Sequence, residues 1–186
     1  MDKHNLMLDI PDTLAQCVLI INDISKYNFD DPNLCCPILE ITLPGFSQPV
    51  VFNSENSDLT FNFSKCFTAC DLGLQKEGCN DENCPLPDGI YIIRYSVSPN
   101  DVVYVEYNYL RVTEALNRYK KILCCVDVNK NNLGFDHTKL MMMLSDFRTY
   151  IDAAKSLVEI CHKPKEGMAL YNYALSILDK INCNYC

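Results

Sequence analysis

The sequence predicts an α+β protein: an N-terminal antiparallel β-sandwich-like domain over residues 1–110, then a C-terminal helical domain over residues 111–186 that contains an antiparallel helix hairpin. Three observations predict it. Short β-branched and aromatic runs, bounded by turn residues, fill the first half. Eight of the nine prolines lie before position 100, and the ninth, Pro164, falls in a connection, so the second half is free to be helical. Charge changes sign between the halves: residues 1–110 carry net −11 and residues 111–186 net +3.

Six strands are expected in the first half, over 17–23, 37–43, 49–53, 59–64, 90–97 and 102–110. Alternation supports them. Leu59, Phe61 and Phe63 share one face and Thr60, Asn62 and Ser64 the other, while Tyr91, Ile93, Tyr95 and Val97 oppose Arg94 and Ser96. The "PDG" at 87–89 turns the chain into the fifth strand, and "SPND" at 98–101 closes a hairpin onto the sixth.

The second half holds the most specific pattern. Leu140, Leu144, Phe147, Ile151, Ala154, Val158 and Cys161 step alternately by four and three, which is the seam of a long amphipathic helix capped by Asp136. Met143, Tyr150, Ala153, Leu157 and Ile160 form a second apolar stripe, leaving Arg148, Asp152, Lys155 and Glu159 for solvent. An earlier helix carries Leu116, Tyr119, Leu123 and Val126 inward. A later one, opened by Pro164 in its first turn, carries Leu170, Ala174, Ile177 and Ile181. The seam is read as internal core, and the "MMM" at 141–143 must place at least one of Met141 and Met142 on a surface.

With 186 residues the chain buries roughly 70% of its unfolded surface without needing disulfide staples. Charge interrupts every short apolar run of the N-terminus and no run of about 18 apolar residues occurs, so the chain is expected to be soluble and cytosolic, with no membrane insertion. Its twelve cysteines then read as free thiols, metal ligands or catalytic groups. Cys17, Cys35, Cys36, Cys124 and Cys125 sit in apolar runs and are expected as small buried hydrophobes. The stretch "CFTACDLGLQKEGCNDENC" places Cys66, Cys70, Cys79 and Cys84 at x3, x8 and x4 spacings, a partial match to zinc knuckles. A solvent-facing loop of reduced thiols, too polar to pack, is the preferred reading, with a tetrathiolate zinc site as the alternative. Cys183 and Cys186 form a C-x-x-C at the end of the sequence, away from any strand-to-helix turn, so thioredoxin-like chemistry is not expected.

No phosphate-binding loop, dinucleotide fingerprint, nucleophile elbow or H-E-x-x-H motif occurs, and six glycines are few for phosphate cradles. His4, His137 and His162 are far apart, and pairing one with Cys124 or Cys161 as a catalytic dyad is not indicated. Arg118, Lys120 and Lys121 in "RYKKI" are read as a solvated helix face, and a net charge of −8 disfavours direct sequence-specific nucleic-acid binding. No catalytic, cofactor-binding or metal-ligating residue is therefore assigned, no cofactor is expected, and the chain is not expected to be an enzyme.

The segment "LPDGIYIIRYSVSPNDVVYVEYNYLRVTEALNRYKKIL", followed by a helical hairpin, resembles ring-forming proteins of the tail and head-to-tail connector of crAss-like bacteriophages. The likeness covers about residues 85–182, and its strand, strand, "YLR", helix progression is its most recognisable part. It implies a structural virion protein, made in the host cytoplasm, whose partners are identical subunits in a ring and neighbouring portal or tail proteins. It also implies growth in anaerobic gut bacteria, which suits many free thiols. Two other classes compete with it: a zinc-stabilised cytosolic adaptor, and a small thiol enzyme.

Overall fold

The computed structural model describes residues 6–9, 20–23, 38–53, 67–74, 86–96, 105–132 and 136–181. Among them the chain is mixed α+β, with a four-stranded antiparallel sheet, a two-stranded antiparallel pair and three helices. The expected strand over 59–64, the turn at 98–101, His4, and Cys17, Cys35, Cys36, Cys66, Cys79, Cys84, Cys183 and Cys186 lie outside the described residues. The chain divides into two compact units, Met1–Pro87 with Tyr91–Tyr107, and Asp88–Ile90 with Asn108–Cys186. The division thus falls at 107/108 instead of 110/111, and the "DGI" of the turn belongs with the helices.

In the first unit β1 (Leu6–Asp9) pairs antiparallel with β2 (Ile20–Asp23), Leu6 opposite Asp23. β1 was not expected: four residues are too few to show a period, and their partner strand lies over ten residues away. The sheet runs β4 (Val50–Phe52), β3 (Ile38–Thr42), β5 (Gly89–Ser96), β6 (Val105–Arg111). Leu39 stands opposite Phe52 on one side and Tyr95 on the other, and Ile41 opposite Ile93. The period-2 reading is visible in burial: Leu39, Ile41 and Leu43 are buried, as are Tyr91 and Ile93, with Glu40, Thr42, Ile92 and Arg94 less so. Glu40 faces Arg94 directly across the ladder, 3.3 Å apart, and Arg94 also meets Glu106 at 3.5 Å. The turn out of β3 has Pro44 and Gly45 at its centre. Gly45 takes φ 82, and the Phe46 amide donates to the Leu43 carbonyl at 3.1 Å, the geometry for which glycine carries least strain.

The second unit is built on α1 (Thr113–Val128), α2 (His137–Glu159) and α3 (Pro164–Asp179). Leu144, Phe147, Ile151, Ala154 and Val158 of the seam are all buried, in one cluster with Leu116, Val126, Tyr171, Ala174, Ile177 and Ile181. The spacing of four and three returns each of them to one face of α2. Asp136 caps the helix as expected, accepting from the Lys139 amide at 3.0 Å. Cys161 departs from the seam: α2 ends at Glu159, two residues short of it, and its thiol is exposed. Gly167 lets α3 approach closely, since a Cβ there would overlap Val158 Cγ2 and lie 3.0 Å from the Ala154 carbonyl oxygen. Tyr150 meets Tyr173 edge to face at 5.0 Å, and Tyr119 stacks on Phe147 at 5.4 Å.

The connection from α2 to α3 bends through His162, whose φ is +54, while the Ile160 and Cys161 amides share the Ser156 carbonyl and the Lys163 amide reaches Leu157. A left-handed residue with a Cβ is strained by about 1–2 kcal/mol, which outweighs the extra chain entropy of glycine. His162→Gly is therefore expected to stabilise the protein by about 0.5–1 kcal/mol. Urea denaturation checks this, and a loss of stability contradicts it.

Candidate functional site

Asp88, in the turn that opens β5, accepts four hydrogen bonds. The sequence read "PDG" as a turn, which places the residue but not its partners. Its Oδ1 accepts from Arg111 Nη1 at 2.9 Å and from the Glu114 amide at 3.1 Å; its Oδ2 accepts from the Ala115 amide at 2.9 Å and from the Tyr171 hydroxyl at 3.2 Å. Helix α1 begins after Val112, which has no side chain able to cap it. Asp88 supplies that cap from 26 and 27 residues earlier in the chain, satisfying two amides that an α-helix leaves open in its first turn.

Arg111 is only 2% exposed, the largest fully buried side chain described, and Asp88 balances its charge. Burial, reinforced by the Asp88 carboxylate, pushes the Tyr171 hydroxyl well above the ordinary phenol range. The phenol therefore stays protonated and remains a donor to Asp88. Both carboxylate oxygens are occupied twice, so this group joins β5, the end of β6, α1 and α3. It is a structural joint. Sequence reasoning missed it, although two signals were present: an arginine inside the apolar run "NYLRV", and a helix starting at "VT" without an acidic or amide cap.

A second tie corrects the surface reading of α2. Glu159, expected in solvent, is half-buried and accepts the Leu110 amide at 3.1 Å. Lys155 pairs with Glu159 at 3.5 Å and lies 5.1 Å above the Tyr109 ring. The end of β6 has a backbone donor to satisfy, and the nearest carboxylate on α2 is drawn to it. Arg148 and Asp152 do face solvent and pair with each other at 3.6 Å. Ile160, expected in the second apolar stripe, is 73% exposed because it lies beyond the last residue of α2.

The cysteines are corrected in three ways. Cys124, expected to be buried, is exposed and free, because residues adjacent on a helix point about 100° apart and here the inward face is taken by Cys125 and Val126. Cys125 is the inward one, and it is disulfide-bonded instead of a free thiol, its partner lying outside the described residues. Of the 66–84 stretch, residues 67–74 are described, and they pack instead of looping into solvent: Phe67, Ala69 and Leu72 are buried, and Phe67 lies 4.9 Å from Phe52. A reciprocal Thr68–Asp71 pair holds this turn, Asp71 accepting from the Thr68 amide at 3.0 Å and the Asp71 amide donating to Thr68 Oγ1 at 3.3 Å. With Phe67, Ala69 and Leu72 turned inward, the turn leaves Cys70 on the other side, exposed.

His137 and His162 lie at opposite ends of α2 and neither meets a described thiol; among the described residues no three His, Cys, Asp or Glu side chains are placed to hold a metal ion. No described helix is long and apolar enough to cross a membrane. The remaining surface feature is a groove of about 390 Å³ lined by Lys120, Leu123, Cys124 and Asp127 of α1 and Met141 of α2. Met141 is 36% and Met142 64% exposed, so the expectation that the "MMM" run reaches solvent is met.

Fold and site together define a mixed α+β protein with a packed helical unit and a structural polar joint. No protein-family model matches the chain, and neither a curated protein nor a solved structure does so.

Proposed function

We propose that this chain is a structural virion protein, a ring-forming subunit of a phage tail or head-to-tail connector that acts through protein–protein interfaces and not as an enzyme. The first unit is read as sandwich-like and α2 with α3 as an antiparallel hairpin; the pairing of Val158 with Gly167 and of Tyr150 with Tyr173 supports the latter. The observation that carries the proposal is the segment that resembles the crAss-like ring proteins. Its strand, strand, "YLR", helix progression is the part tied by Asp88, with Arg111 of "YLR" buried at the centre. A buried ion pair fixes register at some cost in stability, which is useful where a subunit must present its surfaces at a set angle.

Charge adds a second support. Halves of net −11 and +3 on one chain can satisfy each other between identical neighbours, and such a heterologous contact closes into a ring when its rotation permits. The masses of the chain purified alone and after co-expression with portal or tail proteins test the proposal. A cyclic multiple of 21.2 kDa held by those partners is expected. A monomer that binds none of them contradicts it.

A further inference from the structure

We infer that the groove between α1 and α2 is the docking site for the acidic N-terminal half of a second copy of this chain. The inference rests on the ring reading and names the surface that reading requires. The floor is apolar and open: Leu123 and Met141 line it with the exposed Cys124, and Met142 and Val128 stand exposed on the same two helices. An apolar floor open to solvent marks an interaction surface.

The charges beside the floor select the occupant. Arg118 is engaged with Asp179 at 2.7 Å, and Lys130 with Asp127 at 3.8 Å, which also neutralises the one carboxylate lining the groove. Lys120, which lines the groove, and Lys121, next to it, are exposed and have no ion pair among the described residues. A site with an apolar floor and unspent lysines at its edge fits a surface that is acidic and rich in aliphatic and aromatic side chains. Residues 1–110 of a second copy carry that charge, with sixteen acidic residues against five basic ones. The helical half of a second copy, at net +3, does not.

Cys124 reports on this surface directly, since it lines the groove and its thiol is free, while Cys161, also exposed and free, lies beyond the far end of α2. The full-length chain is sedimented from micromolar to near-millimolar concentration at low salt, and the same samples are alkylated briefly and read by peptide mass. Association is expected to slow alkylation of Cys124 by about tenfold or more while leaving Cys161 near its monomer rate, because a buried interface core excludes water and reagent. Lys120→Glu with Lys121→Glu is expected to weaken association by about tenfold and to restore Cys124 reactivity. If the chain associates while Cys124 reacts at the monomer rate, the groove is not the interface, and the ring reading stands on another surface. If the chain stays monomeric throughout, or Cys124 is protected only when a different virion protein is added, a second copy is not the occupant; particle images then decide the ring reading separately.

Discussion

Ile151→Asp unfolds the helical unit. Ile151 is 1% exposed and sits at the middle of the α2 seam, between Phe147 and Ala154 in the same core. A carboxylate there loses its water and gains no described cation within the cluster, and burying such a group costs several kcal/mol. A whole domain is stable by only about 5–15 kcal/mol, so one such substitution removes much of the margin. Thr149→Asp, two residues away on the exposed face of α2, is the matched control and is expected to change stability by less than about 0.5 kcal/mol. Circular dichroism with thermal melting separates them. A folded, soluble Ile151→Asp protein means that the seam faces water, contrary to the packing described.

Asp88→Ala is the second large effect, and it tests the joint. The substitution takes the Asp88 carboxylate away from the buried Arg111, opens the Glu114 and Ala115 amides, and removes the acceptor of the Tyr171 hydroxyl. Breaking a buried ion pair from one side costs about 3–5 kcal/mol, and loss of the cap adds about 1 kcal/mol. Asp88→Asn, with its shape kept but its charge removed, is expected to lose less. Combining Asp88→Ala with Arg111→Met is expected to recover part of the loss, because the uncompensated charge goes with the arginine. Denaturant unfolding of the three variants gives the comparison. Equal, small losses in all three contradict a joint built on the charge pair.

The two largest effects lie on opposite sides of what the sequence makes legible. Ile151 was readable from spacing alone, because a helix repeats its face every three to four residues and the seam ran through several turns. The strands around Leu39, Ile41, Tyr91 and Ile93 were readable for the same reason with a period of two. Asp88 was not, because its partners are 23 to 83 residues away and a long-range hydrogen bond leaves no period. The turn at 67–74 was misread because polarity was averaged over nineteen residues, whereas Phe67, Ala69 and Leu72 bury one side of a single tight turn. Cys124 and Cys125 show the limit of composition. The apolar run "ILCCVDV" is the same for both, and only the helix phase sends one outward and one inward. The groove was half legible: exposure of the methionines followed from their being consecutive, but the meeting of Met141 with Lys120 and Cys124 required α1 and α2 to pack.

The ring itself is most directly tested by imaging. Virions, or the chain co-expressed with portal and tail proteins, are examined by electron cryomicroscopy with the chain located by density or by a fused label. A closed cyclic array of this chain is expected at the head-to-tail junction or along the tail, and its absence from the particles, or its presence there only as scattered single copies, contradicts the ring.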